Sequence, residues 1–178
     1  MSRNIEIKAY ARDLNILKKR ILGLNSDDAN NVLILKQEDV FYNLPECSSG
    51  KLKLRKTDSS QELIYYDRKE CNEPSLSNYR KCLVPAELED LLKNALGTWG
   101  VVKKVRTLIM VGQTRVHLDS VEDLGNFIEL EVVLNENQSS DDGKKIALDL
   151  MSLLEISEND LISVSYVNML NEKKNNIK

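Results

Sequence analysis

The chain of 178 residues has little of what marks the commoner catalytic and binding classes. It holds a single histidine, His117, so no histidine pair can form a metal site or a relay. Its three cysteines, Cys47, Cys71 and Cys82, show no CxxC spacing and no even count, which argues against a disulfide framework or a thiol motif. There is no P-loop and no Ser-His-Asp set. No apolar run approaches membrane-spanning length. A net charge of −3 leaves no overall basic field for nucleic acid or an anionic membrane. The opening "MSRNIEIK" enters a strand pattern at once. We therefore expect no signal peptide, a domain that begins almost at residue 1, free thiols and a cytoplasmic location.

What the chain does have is period-2 alternation. With 30% charged and 42% hydrophobic residues it suits one globular domain, expected over 1–171, with 172–178 as a flexible polar tail. Strands are predicted at "NIEIKAYA", "VLILKQEDVFYNL", "GKLKLRKT", "ELIYYDRKE", "YRKCLV", "VVKKVRTLIMVG", "TRVHLDSV" and "NFIELEVVL". Between them "CNEPSLSN" reads as a polar loop. Helices are predicted at "DLNILKKRILGL", with Asp13 as N-cap and Gly23 as stop, at "PAELEDLLKNALG" and at "SSDDGKKIALDLMSLLEI". "LISVSYVNML" reads as a short strand or turn leading into a last helical piece. Short turns join most strands, so the fold class is α+β with an antiparallel sheet.

The charges in these strands segregate by face. In a strand, residues i and i+2 point the same way. Glu6 and Lys8 oppose Ile5 and Ile7; Lys51, Lys53 and Arg55 oppose Leu52 and Leu54. Arg68 shares a face with Tyr66, and Lys104 with Arg106. Arg115, His117 and Asp119 oppose Val116 and Leu118; Glu129 and Glu131 oppose Ile128 and Leu130. On an antiparallel sheet such stripes are ordinarily a solvated face. Here they are nearly pure in sign, and both signs meet in one sheet. Enclosed without a ligand, these charges would be costly to desolvate. They suit a triphosphate, whose oxygens Arg and Lys bind, together with Mg²⁺ or Mn²⁺, which takes carboxylates. A sheet closed into a barrel, charged inside and apolar outside under helices, would hold both.

"IEIK", "KLKLR", "KVR", "RVHLD" and "DLGNFIELEV", in this order, resemble the CYTH domain of the triphosphate tunnel metalloenzymes, from Asn4 to about Leu170. That superfamily includes class IV adenylyl cyclases, thiamine triphosphatases and inorganic triphosphatases. The resemblance implies an eight-stranded antiparallel β-barrel, the triphosphate tunnel, with helices packed outside. It implies catalytic roles for Glu6, Lys8 and Asp119, and phosphate contacts from Lys8, Lys53, Arg55, Arg68, Lys104, Arg106 and Arg115. It implies metal ligation by Glu6, Asp119, Glu129 and Glu131, with Mg²⁺ or Mn²⁺ as the ion. Asn4 stands where the family's E-x-E-x-K motif has its first Glu; it offers a carbonyl oxygen but no charge.

His117 has the parity of Arg115 and Asp119, which places it in the tunnel as a phosphate contact, a proton relay or a hydrogen-bonded wall residue. Trp99 reads as packing, Tyr65, Tyr66 and Tyr79 as cross-strand packing, and Ser77 and Arg80 as turn residues that could touch phosphate. Cys82 reads as a small core residue. The leading functional expectation is a metal-dependent triphosphatase acting on tripolyphosphate or on a nucleoside or other organic triphosphate. Two alternatives stay open: adenylyl cyclisation of ATP, and a non-catalytic module for polyphosphate or an RNA 5′-triphosphate end. The expected partner is a triphosphate-containing small molecule, with no membrane, and the chain is expected to be a monomer or homodimer.

Overall fold

Eight strands close into one barrel. The structure, a computed structural model, describes residues 2–24, 32–68 and 71–176. The strands are β1 (Ser2–Tyr10), β2 (Val32–Tyr42), β3 (Lys51–Lys56), β4 (Gln61–Arg68), β5 (Ser75–Leu83), β6 (Thr98–Val111), β7 (Thr114–Val121) and β8 (Gly125–Val133). Among the described residues four α-helices accompany them: α1 (Leu14–Leu24), α2 (Leu88–Leu96), and, after the last strand, α3 (Ser140–Leu153) and α4 (Tyr166–Asn176). The strand order is β1-β5-β4-β3-β2-β6-β7-β8, with β8 pairing back to β1, and every pairing is antiparallel. This is the expected α+β barrel with helices outside.

Alternation decides the two surfaces of the barrel. Ile5, Ile7, Val116, Leu118, Ile128, Leu130 and Val132 face outward and are buried beneath α1 and α3, against Ile21, Ala147, Leu150, Met151 and Leu154. Each such aliphatic side chain, fully buried, is worth about 1.5–3 kcal/mol. Gly143 lets α3 come close: a Cβ there would lie 2.6 Å from Ile5 Cγ1 and from Leu134 Cδ2. A second outer cluster places Val40, Tyr42 and Leu54 under Leu92 and Leu96 of α2.

A third cluster closes one end of the barrel. Phe41, Val102, Val121 and Phe127 meet Tyr166, Val167 and Leu170 of α4. Phe127 and Tyr166 stack with ring centroids 4.8 Å apart. Gly100 seats α4, since a Cβ there would lie 2.6 Å from Val167 Cγ2. Trp99 packs edge-on against Phe41 at 6.2 Å and remains partly exposed.

Several local expectations are corrected. Residues 75–78, read as loop, belong to β5, where Ser77 pairs with Asn4 on one side and Arg68 on the other. Their polarity hid the strand. Asp13 does cap α1, accepting from the Asn15 and Ile16 amides at 2.8 and 3.2 Å, but the helix runs through Gly23 to Leu24. Cys82 is exposed rather than core. Leu161 makes an isolated bridge to Ala9 before α4, and α4 continues into the polar tail as far as Asn176. Lys69 and Glu70 of the expected fourth strand, Met1, and Ile177–Lys178 of the tail lie outside the described residues. Among the described residues, no helix is long and apolar enough to cross a membrane.

Candidate functional site

The inner surface of the barrel lines a cavity of about 380 Å³. Glu6 and Lys8 enter it from β1, Lys53 and Arg55 from β3, Arg68 from β4, Lys104 and Arg106 from β6, Arg115 and His117 from β7, and Glu129 and Glu131 from β8. Every residue of the expected set except Asp119 therefore lines one space. Ile128, Leu130 and Leu54 lie on the outer side, as the alternation requires.

Register explains why the charges pair. Directly opposed residues on neighbouring strands are close enough for their side chains to meet. Lys8 stands opposite Glu129, and Glu6 opposite Glu131. Arg115 stands opposite Glu131, and His117 opposite Glu129. Arg106 faces Asp119 and Arg55 faces Asp39.

The resulting ion pairs hold each guanidinium in a set orientation. Arg115 grips Glu131 through two hydrogen bonds of 2.8 and 2.9 Å. Arg106 donates to both Asp119 oxygens at 2.7 and 2.6 Å and to Glu129 at 2.8 Å. Arg68 pairs with Glu6. Arg55 and Lys53 share Asp39, at 2.7 and 2.8 Å. A guanidinium gripped through two of its three nitrogens is fixed in orientation, which lowers the cost of meeting a phosphate oxygen.

Asp119 lies behind this wall. It is fully buried, with its oxygens taken by Arg106, by Lys104 at 3.2 Å and by the Tyr166 hydroxyl at 3.1 Å. Its place is that of an anchor for two cations, and the Arg106 and Lys104 charges outweigh burial to hold its carboxyl well below the usual range. Asn4 is also buried and donates to Glu131, while its carbonyl oxygen has no hydrogen-bond partner among the described residues.

Burial sets the proton affinities. It brings Lys104 down to about 7, with Arg106 adding repulsion, and Lys8 down to about 8 against the pull of Glu129. It also lowers His117, whose ring sits 3.6 Å from Glu129 and 3.7 Å from Glu131. Burial raises Glu6; Arg68 opposes this, and the charges of Glu129 and Glu131 reinforce it. Repulsion among these three carboxylates is what a bound cation would relieve. Among the described residues no three His, Cys, Asp or Glu side chains form a ready cage. The donor set still fits a hard divalent ion of the Mg²⁺ type, which takes one or two carboxylates and completes its shell with phosphate oxygens and water.

Two contributors have no counterpart among the sequence-predicted residues: Asp39, which clamps Lys53 and Arg55, and Tyr166, which forms the cavity's closed end. Lys8 and Lys104 lie over the Tyr166 ring, 4.3 and 5.3 Å from its centroid. In "KQEDV" four successive polar residues leave parity undecided, and only the register puts Asp39 inside. Tyr166 opens a helix far along the chain from the strands it seals, which no local pattern reveals. Of the remaining aromatics, Tyr66 and Tyr79 line the cavity and Tyr65 does not.

Solved structures share this architecture. A Pyrococcus horikoshii OT3 protein is 26% identical, with a TM-score of 0.77 over 94% of this chain and 98% of its own. A Vibrio parahaemolyticus protein described as a candidate adenylate cyclase is 17% identical, with a TM-score of 0.74 over 94% and 97% of the two chains. A Hippeastrum protein, described as a candidate adenylyl cyclase that reveals a dominant triphosphatase activity, is 12% identical, with a TM-score of 0.64 over 97% and 96%. No curated protein matches the chain in sequence. The family model of the CYTH domain matches residues 2–166, the span that builds the barrel and ends on the tyrosine that closes it, and the chain belongs to the CYTH domain family.

Proposed function

We propose that this chain is a divalent-metal-dependent phosphohydrolase that binds a triphosphate inside the barrel. The observation that carries the reading is the cavity inside the closed barrel with seven cations, Lys8, Lys53, Arg55, Arg68, Lys104, Arg106 and Arg115, directed into it. A triphosphate is the small anion with enough charge, spread along a short rod, to answer such a set. Because α4 seals one end, the chain of phosphates enters first and its terminal phosphate lies deepest. Lys8, Lys53, Lys104, Arg55 and Arg106 then surround the terminal group, and Arg115 holds the phosphate nearest the mouth.

Catalysis under this reading is positioning and charge stabilisation. The guanidinium and ammonium groups, already oriented by Asp39, Asp119 and Glu131, meet charge as it shifts onto the bridging and terminal oxygens. Their orientation costs no rearrangement during the reaction. Mg²⁺ or Mn²⁺, held by Glu6 and Glu129 with Glu131 beside them, would supply further charge neutralisation and an acidified water. His117, whose proton affinity burial lowers, stands at the cavity wall beside Glu129 and Glu131.

The description of the Hippeastrum protein supports hydrolysis as chemistry that this fold can carry. The description of the Vibrio protein keeps cyclisation of ATP as the second reading, with attack at the phosphorus nearest the mouth. Product analysis decides between them. Incubation with Mg²⁺ or Mn²⁺ and either tripolyphosphate or ATP is expected to release orthophosphate. Cyclic AMP with pyrophosphate would establish the cyclase reading, and tight binding without turnover would establish a binding module.

A further inference from the structure

Helix α4 starts at the sealed end of the cavity, which Ser165 and Tyr166 both line. Its start is pinned to β1 beside Lys8: the Ile162 amide donates to the Lys8 carbonyl at 2.9 Å, and Leu161 bridges Ala9. The Met169 amide donates to the Ser165 carbonyl at 3.1 Å, so Ser165 holds the N-capping position of the helix. A serine there ordinarily accepts a bond from an amide of the first turn. Ser165 does not: it is 4% exposed, and among the described residues its hydroxyl has no hydrogen-bond partner. The amides that open a helix have no acceptor within it, and they carry the positive end of its dipole. Lys8 and Lys104 stand over the Tyr166 ring at the same end. The carboxylates nearby are already engaged, Asp119 by Arg106, Lys104 and the Tyr166 hydroxyl, and Glu129 by Arg106 at 2.8 Å.

From this arrangement we infer that the sealed end is a binding site for orthophosphate, built from the Ser165 hydroxyl and the N-terminus of α4 with Lys8 and Lys104 beside them, and that orthophosphate is the last product to leave. The order of release rests on the triphosphatase reading; the site itself does not. A helix N-terminus suits a tetrahedral oxyanion. An unbonded serine hydroxyl needs only to turn about its own bonds to donate to one. The cost of burying that hydroxyl without a partner is relieved when the anion arrives. In hydrolysis of tripolyphosphate, water adds to the terminal phosphorus as the bond to the bridging oxygen breaks. The electron pair stays on the pyrophosphate so formed, and the water's protons pass to the products and solvent. Orthophosphate then lies against α4, with pyrophosphate between it and the mouth. Pyrophosphate therefore leaves first. Orthophosphate stays behind on the deepest subsite, where it excludes the next substrate.

The experiment titrates orthophosphate by calorimetry into the parent, Ser165→Ala and Ser165→Gly, and tests both products as inhibitors of tripolyphosphate hydrolysis by the parent. The dissociation constant of orthophosphate is expected to rise by roughly 10-fold in each variant, the worth of a hydrogen bond to a charged group. Glycine is tolerated at a helix cap, so Ser165→Gly keeps the start of α4 whatever becomes of Ser165→Ala. Parent affinity in both variants would overturn the site, and a lowered melting temperature beside it would assign Ser165 to capping α4 alone. Inhibition by orthophosphate is expected to be competitive with tripolyphosphate and inhibition by pyrophosphate to be mixed, the pattern of ordered release. Purely competitive inhibition by both would overturn the order. No turnover of tripolyphosphate would overturn the triphosphatase reading and the order with it, while the titration would still decide the site.

Discussion

The Tyr166 hydroxyl donates a hydrogen bond to Asp119 Oδ2 at 3.1 Å, in the most enclosed part of the barrel. This contact ties the helix that seals the tunnel to the carboxylate that orients Arg106 and Lys104. A hydrogen bond to a buried charge is worth about 1.5–3 kcal/mol. Tyr166→Phe keeps the ring against Phe127 and removes only that bond. Its free energy of unfolding in urea is expected to drop by about that amount. Unaltered stability would show that Asp119 is satisfied without it.

Asp39 makes a second prediction. It is the counter-ion of Lys53 and Arg55, and those cations hold its carboxyl well below the usual range against the opposing effect of burial. Asp39→Asn strands two buried cations, a defect of about 3–5 kcal/mol. A bound triphosphate would replace the lost charge. The variant is therefore expected to melt well below the parent when free, and to gain more from tripolyphosphate than the parent does. Equal ligand-induced shifts in melting temperature would contradict this.

The buried lysines set a pH dependence. Lys104 and Lys8, near 7 and 8 in the folded protein, return to about 10.5 when unfolded. Between those values the unfolded chain holds more protons, so the share of stability owed to these lysines rises with pH through that window. Phosphate beside them favours the protonated form. At pH 8.5, tripolyphosphate binding is expected to take up protons, read from calorimetry in two buffers of different ionisation enthalpy. Binding heats that do not vary with the buffer would refute the placement of phosphate against these amines.

The carboxylates of β8 provide the metal test. Glu129→Gln and Glu131→Gln preserve shape and remove charge. Each is expected to lower Mn²⁺-supported turnover by about 100-fold or more, and to weaken Mn²⁺ binding seen by electron paramagnetic resonance. Parent rates and parent Mn²⁺ spectra in both variants would exclude them from the ion's shell.

Much of this site is legible along the chain, because a barrel turns period-2 alternation into inside and outside. Glu129 and Glu131 alternate with Ile128 and Leu130, and Lys53 and Arg55 with Leu52 and Leu54, so their parity is plain before any fold is known. What stays hidden depends on register. Asp39 follows Gln37 and Glu38 in an unbroken polar run, and becomes an inner residue only when β2 pairs with β3. Ser77 sits in a segment with no apolar alternation, and the strand exists because β1 and β4 both need a neighbour there. Asp119 shows the limit of parity from the other side. It points inward as alternation requires, yet Arg106, Lys104 and Tyr166 occupy it, and no local pattern could show that.

The central claim is that a triphosphate lies along the barrel with its terminal phosphate at the sealed end. The most direct measurement is a crystal structure with a non-hydrolysable triphosphate ester. The terminal phosphate is expected within hydrogen-bonding distance of Lys104 and Arg106, near Tyr166, with Arg115 on the phosphate next to the mouth. An ester bound outside the barrel, or one running the other way with its organic group against Tyr166, would contradict the account.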